Sequence, residues 1–214
     1  METSLDRLML LLILSDVALL ATARLRTVLR LFVLQGALLA ALAVIAPAGP
    51  PSARALSLGA AALGVRSLLF PWLLARVARR SGIPDELRPL VGPGPSLLLG
   101  MAMLAGAMMV GKRLPLGGPG TSDMVIPAAL FTMFTGLFLV VTRRKALTQC
   151  LGYLALENGI YGFGVATVSD VPALVELGAL LDLFLAVLVM GVAIYRITAE
   201  FDHMDTDQLD ALKG

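Results

Sequence analysis

Long apolar runs, separated by short clusters of charge, glycine and proline, dominate this chain of 214 residues. A helix crosses the hydrocarbon core of a bilayer with about 20 apolar residues, because only a helix or a closed barrel satisfies every backbone polar group there. The chain is 58% apolar and only 15% charged, which leaves too few polar groups to cover a soluble domain. The sequence therefore predicts an all-α fold, a polytopic membrane helix bundle.

Seven segments are long and apolar enough to be interpreted as spans. The second and fourth are short, at about 16 residues, which indicates tilt or local thinning of the bilayer. The first has a cleavable signal peptide as its alternative, although two acids and no base precede Arg7. The seven segments are Leu5–Ala23, Leu31–Ala46, Ala55–Ala75, Ser96–Gly111, Met124–Thr142, Ala146–Val168 and Pro172–Tyr195.

The basic residues are distributed unequally between the two sides of the predicted membrane. Of 17 lysines and arginines, twelve fall in loops on one side, four fall on the other, and Arg66 lies within a span. Cytoplasmic loops carry the excess of Lys and Arg. The asymmetry predicts an amino terminus outside the cell and a carboxyl terminus in the cytoplasm.

The scarcity of metal ligands excludes several kinds of redox and metal site. The chain has one cysteine, Cys150, and one histidine, His203. A haem, an iron–sulfur cluster or a zinc site needs more Cys or His ligands than one chain of this composition supplies. We therefore expect no cofactor and no metal, and the few juxtamembrane cations indicate orientation in a bilayer rather than nucleic-acid binding.

Five ionisable residues fall within the predicted spans, where charge is costly and marks functional candidates. Helix rise places Glu157 and Asp182 roughly 15 Å deep, near the bilayer midplane, with Asp16 and Arg66 at a similar depth. Asp16 has two interpretations, a structural pair with Arg66 or a member of a proton path. Glu157 and Asp182 lie on adjacent antiparallel spans and are predicted to face one another, whereas Glu176 points to another side of its helix.

The surroundings of Glu157 favour close helix packing, since small residues let membrane helices approach each other. Asn158 and Tyr161 are expected to provide hydrogen-bonding partners near Glu157, with Tyr161 one turn away. Packing alone is the alternative explanation for the glycines. These glycines are Gly152, Gly159, Gly162 and Gly164.

Three stretches resemble the family of E-type membrane subunits of hydrogenase-4. They are Gln149–Gly159, Leu174–Val187 and, in the tail, Phe201–Thr206 with Leu209 and Leu212–Gly214. Members of this family belong to group 4 hydrogenase and formate hydrogenlyase-type complexes, which are related to respiratory complex I. The last three spans are similar to the K-type subunit of complex I, which carries buried glutamates in its second and third helices.

The resemblance implies roles for particular carboxylates. Glu157 takes the position of the second-helix glutamate, and Asp182 takes that of the third. The sequence departs from the K-type pattern in two ways: an aspartate replaces the third-helix glutamate, and the last span has an additional acid, Glu176. Which carboxylate of the last span relays protons therefore stays open. Asp16 and Arg66 are possible accessory residues of the path.

The resemblance also implies the division of the chain and its partners. Residues 1–111 would form an accessory four-helix membrane region, 112–123 a loop, 124–197 a K-type three-helix region and 198–214 a polar cytoplasmic tail. The protein would be a non-catalytic subunit in a prokaryotic cell membrane, in contact with the lipid bilayer, antiporter-like and other complex I-like membrane subunits, and a soluble redox arm. It would pass protons laterally through its buried carboxylates.

Two other functions remain open from the residues alone. A passive assembly subunit would use its buried acids only for structural pairing. An independent carrier of a small solute or ion would need a substrate cavity, and many carriers show internal repeats with broken helices, which this sequence does not show clearly.

Overall fold

The computed structural model describes residues 2–45, 69–80, 90–114, 122–143 and 146–167. Every regular element in these ranges is a helix, which confirms the predicted all-α class. The last predicted span, most of the third, and the polar tail lie outside the described residues. The helices are α1 (Glu2–Ala21), α2 (Leu25–Ile45), α3 (Phe70–Arg80), α4 (Pro93–Arg113), α5 (Val125–Thr142) and α6 (Ala146–Thr167).

Two helices are longer than the sequence pattern predicted. Helices α2 and α4 each have 21 residues, so both extend beyond the predicted spans of about 16 residues. The apolar pattern stops at Arg30, but α2 continues through it towards its amino terminus, because Arg26 and Arg30 both keep part of their side chains outside the core. In α4, Pro93 occupies the first turn, where its missing N–H costs nothing, and Lys112 and Arg113 complement the carboxyl-terminal end of the helix dipole.

Three of the described helices are long and apolar enough to cross a membrane. They comprise Leu25–Leu42 of α2, the whole of α4 and the whole of α5. A membrane protein is therefore supported by the helices themselves. The count of seven spans and their orientation remain predictions.

Helix α5 is the centre of the packing. It contacts α6, α4 and α1, while α2 packs against both α1 and α6. One apolar cluster joins α2 to α6 through residues such as Phe32 and Leu154, and another joins α1 to α2 and α5 through Leu5, Leu39 and Val125. The predicted accessory helices thus share one core with α5 and α6.

The contact between α5 and α6 depends on glycine. A Cβ atom on Gly152 would lie 2.5 Å from the backbone nitrogen of Val140, and one on Gly136 would overlap the backbone of Leu156. A Cβ atom on Gly159 would lie 2.5 Å from the backbone nitrogen of Met133. These distances confirm the expectation that Gly152 and Gly159 serve close helix packing.

Three connections of the chain meet at one end of the bundle. The backbone N–H of Leu90 donates to the carbonyl oxygen of Thr142 at 3.0 Å, and the guanidinium of Arg143 donates to the carbonyl oxygen of Thr22. At the opposite end, Ser122 donates a hydrogen bond to the carboxylate of Asp6. The helices α1, α4 and α5 therefore cross the bundle from end to end.

Candidate buried polar site

Polar side chains from four helices lie together inside the bundle. Asp16 from α1, Gln35 from α2 and Thr132 from α5 are each 0% exposed, and Asn158 from α6 is 3% exposed. Burying such groups is costly unless each finds a hydrogen-bonding partner. Their mutual contacts form what we call the polar network.

Gln35 is the centre of the polar network. Its Nε2 donates to Oδ1 of Asp16 at 2.8 Å and to Oγ of Ser15 at 3.1 Å. Its Oε1 accepts a hydrogen bond from Nδ2 of Asn158 at 3.2 Å. Both N–H bonds and the carbonyl oxygen of one amide are thus used, which links α1, α2 and α6 through a single side chain.

Asp16 accepts hydrogen bonds at both carboxyl oxygens. Gln35 binds one oxygen, and the hydroxyl of Thr132 donates to the other at 2.6 Å. The same hydroxyl also lies 2.9 Å from the carbonyl oxygen of Ala128, one turn earlier in α5. Within the described ranges, the partners of Asp16 are neutral, and Arg66, its expected structural partner, lies outside those ranges.

Glu157 directly precedes Asn158 and is 1% exposed. Asn158, predicted as a hydrogen-bonding neighbour for Glu157, donates an amide N–H to Gln35. Tyr161 is 7% exposed and packs in the apolar cluster that contains Leu39 and Val125. The structure thus connects the residue next to Glu157 with Asp16, through one intervening amide.

The other predicted relay residues, Asp182 and Glu176, lie outside the described residues. Whether Asp182 faces Glu157 therefore stays a prediction. Within the described ranges no three His, Cys, Asp or Glu side chains are placed to hold a metal ion.

Sequence reasoning missed Gln35, Thr132 and Ser15. Each is a neutral polar residue within an apolar run, a weaker signal than a charged residue. Gln35 was the detectable one, since an amide flanked by Leu34 and Gly36 within a span must find a partner in the core. Thr132 carried no such signal, because a threonine hydroxyl can bond to the carbonyl of its own helix.

A cleft of about 620 Å³ opens between α1, α4 and the residues preceding α5. Leu10, Ile13, Leu104 and Met108 line its walls, and Asp6 and Asp123 lie among its other lining residues. The residues that line the cleft and those of the polar network form separate sets. The buried polar site is therefore distinct from the cleft.

Comparison with known proteins identifies relatives over most of the chain. The chain is 34% identical over 203 residues to the uncharacterized protein Rv0085 of Mycobacterium tuberculosis, covering 94% of this chain and 92% of that protein. It is 29% identical over 157 residues to hydrogenase-4 component E of Escherichia coli K12, covering 72% of each chain, and equally to that of Shigella flexneri. No protein-family profile matches the chain, and no solved structure matches it significantly. By its similarity over almost its full length, the chain belongs to the same family as the Mycobacterium tuberculosis protein Rv0085.

Proposed function

We propose that this chain is a membrane-arm subunit of a complex I-like, ion-translocating oxidoreductase of the group 4 hydrogenase type. The similarity to hydrogenase-4 component E supports membership in such a complex. The observation that carries the proposed activity is the full burial of two carboxyl groups, Asp16 and Glu157, in helices joined by the polar network. The chain itself is non-catalytic, and electron transfer belongs to other subunits.

The proposed activity is lateral relay of protons. Glu157 and Asp182 are the principal relay groups, with Glu176 as a further acid of the last span. Each would change charge when a water path from a neighbouring subunit reaches it, and a change of charge in a region of low dielectric acts strongly on nearby groups. Asp16 would sense or share that change through Gln35 and Asn158.

The arrangement in the membrane completes the proposal. The chain spans a prokaryotic cell membrane seven times, with its amino terminus outside and its carboxyl terminus in the cytoplasm. Residues 124–197 correspond to the K-type subunit of complex I and contact antiporter-like subunits. Lipid surrounds the remaining exposed apolar surface, and the soluble redox arm binds elsewhere in the same complex.

Proton translocation per turnover of the assembled complex tests the relay. We expect Glu157→Gln and Asp182→Asn to lower the number of protons translocated per electron pair to less than half, with redox turnover and assembly retained. The measurement compares the pH change and redox turnover in closed membrane vesicles, with complex content determined on native gels. Asp123→Asn is the matched control, because Asp123 is exposed and the chemical change is the same.

Wild-type pumping in both Glu157→Gln and Asp182→Asn would contradict the relay and leave the chain a passive assembly subunit. Translocation by the isolated chain without any redox partner would instead favour an independent ion carrier.

Asp16→Asn tests the accessory role with little disturbance of packing. The carbonyl of the new amide can still accept from Gln35, and its N–H₂ can donate to the hydroxyl of Thr132, whose proton then turns to the carbonyl oxygen of Ala128. All groups remain paired, so we expect normal assembly with reduced pumping. Pumping equal to that of Asp123→Asn would remove Asp16 from the path.

A further inference from the structure

A buried arginine lies at the end of the bundle where three connections meet. Arg143 directly follows α5 and is 6% exposed. Its guanidinium donates a hydrogen bond from Nη2 to the carbonyl oxygen of Thr22 at 3.3 Å. In the part of the chain that the structure describes, Nη1 is buried and has no hydrogen-bonding partner.

A guanidinium stays charged in proteins. A buried arginine therefore cannot avoid the desolvation cost of its charge by losing a proton. Burial lowers the pKa of Arg143 below its ordinary value, which reflects the loss of water around the charge. No acidic side chain of the described ranges forms an ion pair with it. A buried charge of this kind is stable only when an anion accompanies it.

A narrow cavity beside Arg143 provides space for part of such an anion. Its volume is about 20 Å³, which accommodates a group the size of one oxygen atom. Pro93 and Ser96 from the first turn of α4 also line it. The hydroxyl of Ser96 donates to the carbonyl oxygen of Gly92 at 2.8 Å, so the charge at this cavity comes from Arg143.

The walls of the cavity indicate where the anion comes from. Leu20, Phe138 and Leu139 line it together with the polar groups, so an apolar surface adjoins the buried charge. The cavity lies at the end of a helix that is long and apolar enough to cross a membrane. Basic pockets between helices at this level of a bilayer bind the head groups of anionic lipids.

We propose that Arg143, beside the first turn of α4, binds the phosphate group of an anionic phospholipid. One phosphate oxygen enters the cavity, and the acyl chains lie along the apolar residues outside it. The inference does not depend on proton relay, since it requires only that the bundle is embedded in a membrane.

The lipid that remains with the purified full-length chain, or with its complex, tests this site. Phospholipid per chain is measured by mass spectrometry after mild detergent extraction, for the wild type, Arg143→Gln and Arg24→Gln. Arg24 is the matched control, because it lies at the same end but is exposed. We expect the wild type and Arg24→Gln to retain anionic phospholipid and Arg143→Gln to lose most of it.

Adding lipid back separates the possible sources of the anion. Anionic phospholipid should raise the melting temperature of the wild type and of Arg24→Gln, but not that of Arg143→Gln. If neutral phospholipid or inorganic phosphate gives an equal rise, a bound anionic lipid is excluded. Equal lipid retention in the wild type and Arg143→Gln, or equal loss in both variants, also overturns the proposal.

Arg143→Lys keeps the test decisive if Arg143→Gln does not fold. Lysine retains the charge but not the planar set of donors. We expect roughly tenfold weaker apparent binding of anionic phospholipid by Arg143→Lys, with Arg24→Lys at the wild-type value. Wild-type binding by Arg143→Lys would contradict a role for the guanidinium.

Discussion

At the scale of single residues, Gln35 is the side chain on which most of the polar network depends. It contacts Ser15, Asp16 and Asn158, and these contacts use both the donors and the acceptor of the amide. Substitution by an apolar residue would remove three bonds at once. The groups left without partners would be buried, which is the costly case for a lost hydrogen bond.

A double-mutant cycle measures this dependence. Gln35→Leu should destabilise the chain by about 1–3 kcal/mol, because Asn158 and Asp16 each lose a buried partner. Adding Asn158→Leu should cost less in the Gln35→Leu background than in the wild type, with a coupling energy of about 0.5–3 kcal/mol. The measurement is denaturant unfolding of the purified chain in detergent, followed by circular dichroism.

Strict additivity of the two substitutions would mean that Gln35 and Asn158 do not interact in the folded chain. A matched substitution is Gln149→Leu, which removes a half-buried amide of the same size from α6 but leaves the polar network intact. Its effect should be smaller than that of Gln35→Leu.

The charged members of the site could be identified from the sequence, whereas the neutral members could not. Asp16 and Glu157 stand out because carboxylates are rare within apolar segments. Which neutral residues meet them depends on how four helices rotate and pack, and apolar periodicity within a membrane helix is too uniform to specify that rotation. This is why the hydrogen bond from Asn158 to Gln35 was not predicted.

At the scale of helices, the close contact between α5 and α6 requires glycine at position 152. Gly152→Ala should destabilise the chain by about 1–3 kcal/mol, because the new Cβ would meet backbone atoms of Val140 and Leu139 that cannot move independently. The measurement is the thermal unfolding midpoint of the purified chain in detergent.

Gly106→Ala provides the control within the same fold. Gly106 lies in α4, and a Cβ there would have no atom of the described residues within 4 Å. We expect no loss of stability and a gain of up to about 1 kcal/mol from helix propensity. Equal destabilisation by Gly106→Ala and Gly152→Ala would show that helix packing is not the cause.

The existence of the helices was predictable from apolar runs, but their ends were not. The second segment was predicted to begin at Leu31, directly after Arg30. A long arginine side chain, however, can keep its charge outside the apolar region while its helix continues. The same limitation applies to α3, which extends five residues beyond the predicted end at Ala75 and carries Arg76 over the ring of Trp72 at 5.3 Å. A charged residue therefore does not by itself mark the end of a helix.

At the scale of the whole molecule, α4 is the helix best suited to measuring the orientation of the chain in the membrane. Its 21 residues extend over roughly 31 Å, the thickness of the hydrocarbon core. Gly92 and Arg113 lie at its two ends and are exposed. The natural cysteine, Cys150, is 0% exposed and provides a low background for labelling.

Labelling of introduced cysteines tests the predicted topology. In intact cells, a membrane-impermeant maleimide should label Arg113→Cys, because the loop after α4 is predicted to lie outside. Gly92→Cys should react only after permeabilisation, and the wild type should not react in either case. Reaction of Gly92→Cys alone in intact cells would invert the orientation, and reaction of both would contradict a membrane-crossing α4.

The large apolar residues of α4 show how the molecule meets its surroundings. Leu98, Met101 and Met109 are 71%, 68% and 62% exposed, and only Ser96, Gly100 and Ala107 of this helix are buried among the described residues. An apolar surface of this kind needs lipid or a neighbouring subunit around it. In the described part of the chain, α5 and its neighbours therefore form the packed centre, and α4 lies at the periphery.

The use of an amide as the connection between Asp16 and the helix of Glu157 has an electrical consequence. A carboxamide neither gains nor loses a proton at neutral pH, so Gln35 insulates one acid from the other against direct proton transfer. Its dipole nevertheless responds to the charge on either side, and turning it around would set donor against donor at Asn158 and acceptor against acceptor at Asp16. The amide therefore couples Asp16 electrostatically to the helix of Glu157, without itself offering a route for a proton.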